Sequence, residues 1–200
     1  MSIPTFCTAN LPADVINKLL EDTQLAEMAY PVLSIIRTPD QKEFDEGTLW
    51  PIEEFTTGFL GMSEDDIIRF HRQLEQTGVY KGTDMVTEWV AILDEESARQ
   101  STVVLYHCQE REHWIDEGKD QRIGYFTEYE DGYFFWKWRM PASHIYSAFA
   151  FIDHTLEEAL SYYCRPELIG PDGVFDVATY DKVIRGEIQL PTWRRGMALL

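Results

Sequence analysis

The stretch TLWPIEEFTTGFLGMSEDDIIRFHRQLEQTGVYK, residues 48–81, decides how the chain is read. Pro51 suits the first position of a helix, where a missing N–H costs nothing. Ile52 and Phe55 would then share a face, with Glu53 and Glu54 at the positive end of the helix dipole. Gly58 to Gly61 reads as a turn. Ser63 is a capping residue for a second helix, with Asp66 three positions on as a weak capping box. Ile67, Phe70 with His71, and Leu74 recur at helical spacing, leaving Ile68 and Arg72 to point elsewhere. Gly78 marks the helix end, and Val79-Tyr80 begins an extended segment.

Helix, glycine-bearing turn, capped helix and strand is the order of a winged helix-turn-helix. The segment LGMSEDDIIRFHRQLEQTGVY resembles the turn, recognition helix and wing entry of bacterial and phage winged-helix proteins. That family includes transcription regulators and replication initiators. The resemblance spans residues 25–93. It implies that Ser63 to Gln76 would lie in a DNA major groove. A DNA reading would use Arg69, Arg72, Gln73 and Lys81, on a dimer. This chain departs from the pattern where it matters most. Its helix begins Glu64-Asp65-Asp66, and three carboxylates repel phosphate instead of releasing its counterions. Arg69 and Arg72 serve equally well as partners of Asp65, Asp66 and Glu75 on a solvated face.

The acidity is not local. The formal charge is −18 over 200 residues, with −10 on residues 1–90 and −8 on the remainder. A uniform charge of this sign disfavours nucleic acid and membranes and favours basic protein partners. With 44% hydrophobic and 14% aromatic residues, the chain has the composition of a folded protein. Three separated cysteines, Cys7, Cys108 and Cys164, form neither a disulfide framework nor a C-x-x-C pair. They read as reduced thiols of a cytoplasmic protein. No charged-then-apolar leader and no apolar run long enough for a membrane span is present.

Outside the central stretch the readings are simpler. Residues 1–10 read as an extended arm. A helix is expected over Ala13–Asp22, with Val15, Leu19 and Leu20 as its apolar side. Another is expected over Leu25–Arg37, interrupted at Pro31. Thr38–Gly47 reads as an acidic loop. Met85–Leu93 and Thr102–Cys108 suit strands joined by the polar connector Asp94–Ser101. Glu130-Asp131-Gly132 is a hairpin turn between Arg122–Tyr129 and Tyr133–Met140. On the return strand Phe134, Trp136, Trp138 and Met140 share one face. Ser143–Cys164 reads as helical with a break near Asp153-His154, and a last short helix is capped by Asp176. The expected class is α+β: a winged-helix-like domain over 1–84, then an α+β domain over 85–200 with an aromatic hairpin packed on a helix.

No catalytic motif stands out. His107, Cys108, Glu110 and His113 are the densest set of metal-ligand types, but adjacent strand residues face opposite sides. His154 and Cys164 lie too far apart on one helix for a dyad. Phosphate-binding glycine loops and the G-x-S-x-G elbow are absent. The run Phe135-Trp136-Lys137-Trp138-Arg139 resembles a stacking platform for single strands, yet equally suits a packed hairpin. No cofactor or metal is expected. The expectation is a non-enzymatic acidic module that docks on the basic surface of a nucleic-acid-binding partner. Inhibitors and DNA mimics of phages and mobile elements have this character. Glu64, Asp65, Asp66, Asp45 and Glu46 are the expected contact residues.

Overall fold

A computed structural model describes residues 1–25, 29–110, 126–128, 132–150, 162–163 and 165–191. The expected extended arm is instead a central strand. Ile3–Cys7 (β1) is buried along its whole length. It pairs in parallel with Leu33–Ile36 (β2) on one side and Trp89–Leu93 (β3) on the other, matching Thr5 to both Ile35 and Ala91. Strands buried on both faces need apolar residues without alternation, and IPTFC, LSII and WVAIL largely meet that need. The helix expected through Pro31 gives way to β2. Val32, Ile35 and Ile36 are β-branched, and burial between neighbours rewards that shape in a strand.

Ala13–Asp22 (α1) forms as expected and buries Ala13, Ile16, Leu19 and Leu20, with Ile16 in the place expected for Val15. Pro12 provides no side-chain cap. The Glu54 carboxylate does that work from a distance, accepting from the Ala13 N–H at 2.9 Å.

No helix forms over residues 51–55. Residues 45–62 are a strap, several of whose backbone groups pair with other elements. Thr48 N–H donates to the Leu33 carbonyl at 2.7 Å, and Ile35 N–H donates to Thr48 Oγ1 at 2.8 Å. The strap thereby covers the outer edge of β2, which otherwise presents a row of unpaired groups. It then crosses to α1, where Ile52 N–H donates to Asn17 Oδ1 at 2.7 Å and Asn17 Nδ2 donates back to the Ile52 carbonyl.

Glu64–Gln76 (α2) follows as expected, capped by Ser63 accepting from the Asp66 N–H. Its buried side is wider than the expected stripe: Ile67, Ile68, His71, Arg72 and Leu74 are all buried. Gly78, at φ +72°, ends it in the left-handed conformation that glycine tolerates. Phe6 of β1 meets Phe70 and His71 of α2 edge-on, at 6.1 and 6.4 Å. The crossover through α1 leads to one neighbour of β1 and the crossover containing α2 to the other. The right-handedness usual for such connections would set the two helices on opposite faces of the sheet.

The polar connector after β3 is a short helix, Glu95–Gln100 (α3), closed by a capping box between Asp94 and Ser97. The strand Thr102–Glu110 (β4) follows. With Phe126–Glu128 (β5) and Tyr133–Pro141 (β6), the strand order is β2-β1-β3-β4-β6-β5 in a mixed sheet. β3 lies past the expected boundary at residue 84 yet pairs with β1. The chain divides into one compact unit of Met1–Leu105 with Met140–Ser147, and another of Tyr106–Arg139 with Ala148–Leu200.

In the second unit the hairpin strands pair antiparallel, with Thr127 opposite Phe135. The expected face of Phe134, Trp136 and Trp138 is buried, and Phe135 on the other face is buried too. Trp138 stacks on Tyr163, which meets Phe175 and Tyr180 at 5.0 and 5.8 Å. Residues 145–150 are helical (α4), and Val177–Ile184 (α5) is capped by Asp176 accepting from the Thr179 N–H. The expected hairpin turn, the break near Asp153-His154, and Cys164 lie outside the described residues.

Candidate functional site

A doubly wound sheet places ligands outside the carboxyl ends of its strands, where the strand order reverses. Here that point is the carboxyl end of β1 beside β3, where Thr8 N–H donates to the Leu93 carbonyl at 2.9 Å. The strap enters it. Thr57 Oγ1 donates to the Cys7 carbonyl at 2.7 Å, and Gly61 N–H donates to the Thr8 carbonyl at 2.9 Å. Between them Phe59 is completely buried, 5.1 Å edge-on from Phe6 and 5.3 Å from Phe70. Burial pushes the Cys7 thiol up to about 12, so it stays protonated and packs as an apolar group.

Around this plug stand the starts of three helices, and each start is acidic. Asp14 opens α1. Glu64, Asp65 and Asp66 open α2, beginning three residues after the Gly61 contact. Asp94, Glu95 and Glu96 open α3 directly after β3. Helix N-termini stabilise carboxylates through the dipole and unpaired N–H groups, so the placement is locally favourable. The hydroxyl of Ser63 holds the Asp66 carboxyl below the usual range, helped by Arg69. Arg69 pairs with Asp66 at 2.9 Å, and Arg99 pairs with Glu96. Asp14, Asp65 and Glu95 remain exposed.

The expected contact residues therefore divide between two places. Glu64, Asp65 and Asp66 belong to this rim. Asp45 and Glu46 lie on the strap along β2, where the Ser34 hydroxyl donates to the Asp45 carbonyl. The residues of the DNA reading divide as well. Arg69 is exposed and engaged with Asp66, while Gln73 and Lys81 are exposed. Arg72, expected on a solvated face, is 6% exposed and paired with Glu75. Its position one turn from Ile68 turns it inward with the apolar side of α2.

His71 is fully buried, with Nε2 2.9 Å from the Thr87 carbonyl and Nδ1 3.2 Å from the Tyr80 hydroxyl. That pairing fits a neutral ring that donates from Nε2 and accepts at Nδ1. Burial lowers its pKa to about 4. His107 is buried in β4, and burial lowers it to about 3. Among the described residues no three His, Cys, Asp or Glu side chains are grouped to hold a metal.

A groove of about 470 Å³ runs between α1 and α3, with Asp14, Lys18, Arg99 and Ser101 among its lining residues. Lys18 is tied to Asp22 at 2.8 Å, and Asp22 also accepts from the Ser101 hydroxyl. Sequence reasoning did not single out Thr57, Phe59 or Asn17, and it assigned Glu54 to a helix start of its own instead of to that of α1. Their one visible signal is an aromatic residue flanked by Gly58 and Gly61, which marks a chain that must turn closely against a neighbour.

No protein-family model matches the chain, and no significant match exists among curated proteins or solved structures. Among the described residues no helix is long and apolar enough to cross a membrane.

Proposed function

We propose that this chain is a non-enzymatic acidic protein-binding module that docks on a basic surface of a nucleic-acid-binding partner. It would act as an inhibitor or nucleic-acid mimic. One observation carries the reading. The edge where a doubly wound sheet usually receives a small ligand is filled by Phe59 and its loop, and three acidic helix starts surround it. A plugged crevice with a carboxylate rim suits contact with a cationic surface better than enclosure of a substrate. The backbone frames on which the carboxylates stand, α1, α2 and α3, are regular elements, so the charge pattern is held in place before binding.

The test uses a labelled oligolysine peptide and the full chain. Neutralising the rim with Glu64→Gln, Asp65→Asn and Asp66→Asn is expected to weaken binding at least about 10-fold, as desolvated charge contacts do. Neutralising Asp84, Glu88 and Glu187 is the charge-matched control, expected to change it less than about 3-fold. Equal losses in both variants would reduce the effect to net charge and remove the rim as a site. The same titration with mixed-sequence duplex DNA tests the alternative from the winged-helix resemblance. DNA binding that weakens steeply with salt, and is lost on Arg69→Ala with Lys81→Ala, would make the chain a DNA-binding regulator or replication factor instead.

A further inference from the structure

Leu49 and Trp50 are 72% and 46% exposed, and Pro51 beside them is exposed too. Single exposed apolar residues are ordinary. Three in succession, on a segment fastened at both ends, are not. Thr48, on one side, is 2% exposed and bonded to both Leu33 and Ile35 of β2. Ile52, on the other, is 9% exposed and doubly bonded to Asn17 of α1. Gly47, at φ +96°, brings the chain so close to Pro31 that a Cβ there would sit 2.2 Å from the Pro31 carbonyl oxygen. The strap thus buries Thr48 and Ile52 and holds out Leu49, Trp50 and Pro51 between them.

Carboxylates frame that projection. Asp45 and Glu46 precede it, Glu53 and Glu54 follow it, and all four are exposed. No Lys or Arg occurs between Lys42 and Arg69. Glu54 is committed to the start of α1, but among the described residues Glu46 and Glu53 make no ion pair. A Trp held rigidly at the centre of a patch, with charge at its rim, has the composition of an interface anchor. Fastening it beforehand removes much of the ordering cost of binding.

We propose that Leu49-Trp50-Pro51 is a protein-docking knob, and that its occupant is an apolar patch flanked by Lys or Arg on a partner protein. The charge of the frame selects that partner over a second copy of this equally acidic chain. The inference rests on the acidic-module reading and adds to it the contact that supplies affinity, because rim charges mainly set encounter rate and register.

The experiment titrates the full ¹⁵N-labelled chain with a helical peptide carrying a leucine stripe flanked by lysines. The Trp50 indole signal is assigned by its loss in Trp50→Phe. The expected result is a shift of that signal and of the amides from Thr48 to Glu53. Affinity should fall at least about 30-fold in Leu49→Ala with Trp50→Ala, the scale of a central aromatic anchor. Glu46→Lys with Glu53→Lys is expected to weaken it about 10-fold at low salt, and less at high salt. Shifts confined to Glu64–Asp66 would overturn the knob and leave the acidic module standing. No binding at any site would overturn both. Light scattering decides the remaining case: a dimer that the Leu49→Ala with Trp50→Ala variant converts to monomer would make the knob a self-association contact and refute the proposal.

Discussion

The two compact units use their aromatic residues differently. In the first, aliphatic side chains supply most of the buried surface of β1, β2 and β3, and one aromatic set, Phe6, Phe59 and Phe70, seals the carboxyl edge. In the second, aromatics are themselves the core: Trp136 and Phe134 on β6, then Trp138, Tyr163, Phe175 and Tyr180 in one connected set. Parallel strands covered on both faces favour compact branched residues. A hairpin strand with a helix and loops against it leaves wider gaps, which large rings fill at centroid spacings from 5.0 to 6.3 Å. The difference separates a core that holds the strands from a plug that closes the carboxyl edge of the sheet.

The largest effects test that separation. Trp136→Ala and Phe59→Ala each remove a completely buried ring, at an expected cost of about 3–5 kcal/mol. Their local signatures are expected to differ. Hydrogen exchange in the Trp136 variant should rise through β6. In the Phe59 variant it should rise first at the Gly61 amide that caps the carboxyl end of β1 and in the Thr57–Gly61 loop. A Phe59 variant that loosened the whole first unit uniformly would show that the plug is core after all.

Acid is the next probe, because among the described residues each unit buries a neutral histidine. His71 has a folded pKa of about 4 against about 6.5 when unfolded. Between these values the unfolded chain binds a proton that the folded chain does not, so stability falls as pH drops from 6.5 towards 4 and then levels off. The contribution from His71 is about 3 kcal/mol by linkage. His107 acts in the same direction in the second unit and levels off lower, near 3. Denaturant midpoints measured from pH 7 to 4 check this. His71→Gln should remove its share of the slope, and an unchanged slope would mean that the acid response comes from the carboxylates.

Smaller changes sharpen the account of the carboxyl edge and its strap. Gly47→Ala places a Cβ against the Pro31 carbonyl at positive φ, and is expected to cost about 2 kcal/mol or more. It should also loosen the strap that holds Trp50 out. Ser63→Ala removes the acceptor for the Asp66 N–H, with an expected loss of about 1 kcal/mol. Thermal melts rank the two, and the reverse order would show that the strap tolerates displacement.

Local signals in the sequence were reliable wherever a residue acts on its own helix or turn. Ser63, Gly78 and Asp176 delimit α2 and α5 as their capping chemistry requires, and the buried face of β6 follows from its alternation. The same logic failed for residues 51–55. Pro51 and two glutamates look like a helix start, but Glu54 serves the N-terminus of α1, 41 positions earlier, and Ile52 bonds to Asn17.

Likewise Ile3–Cys7 carries no partner in its own sequence, and only pairing with β2 and β3 makes it the centre of a parallel sheet. The acidic character of the chain was legible from composition. That carboxylates open three helices around one edge was not, because those starts are brought together by strand order. Charge and capping are properties of a residue and its near neighbours, so the sequence by itself determined them. Which strands lie side by side, which loop fills the crevice and which apolar residues stay outside depend on distant groups competing for the same hydrogen bonds and the same buried space. Only the tertiary structure decided those.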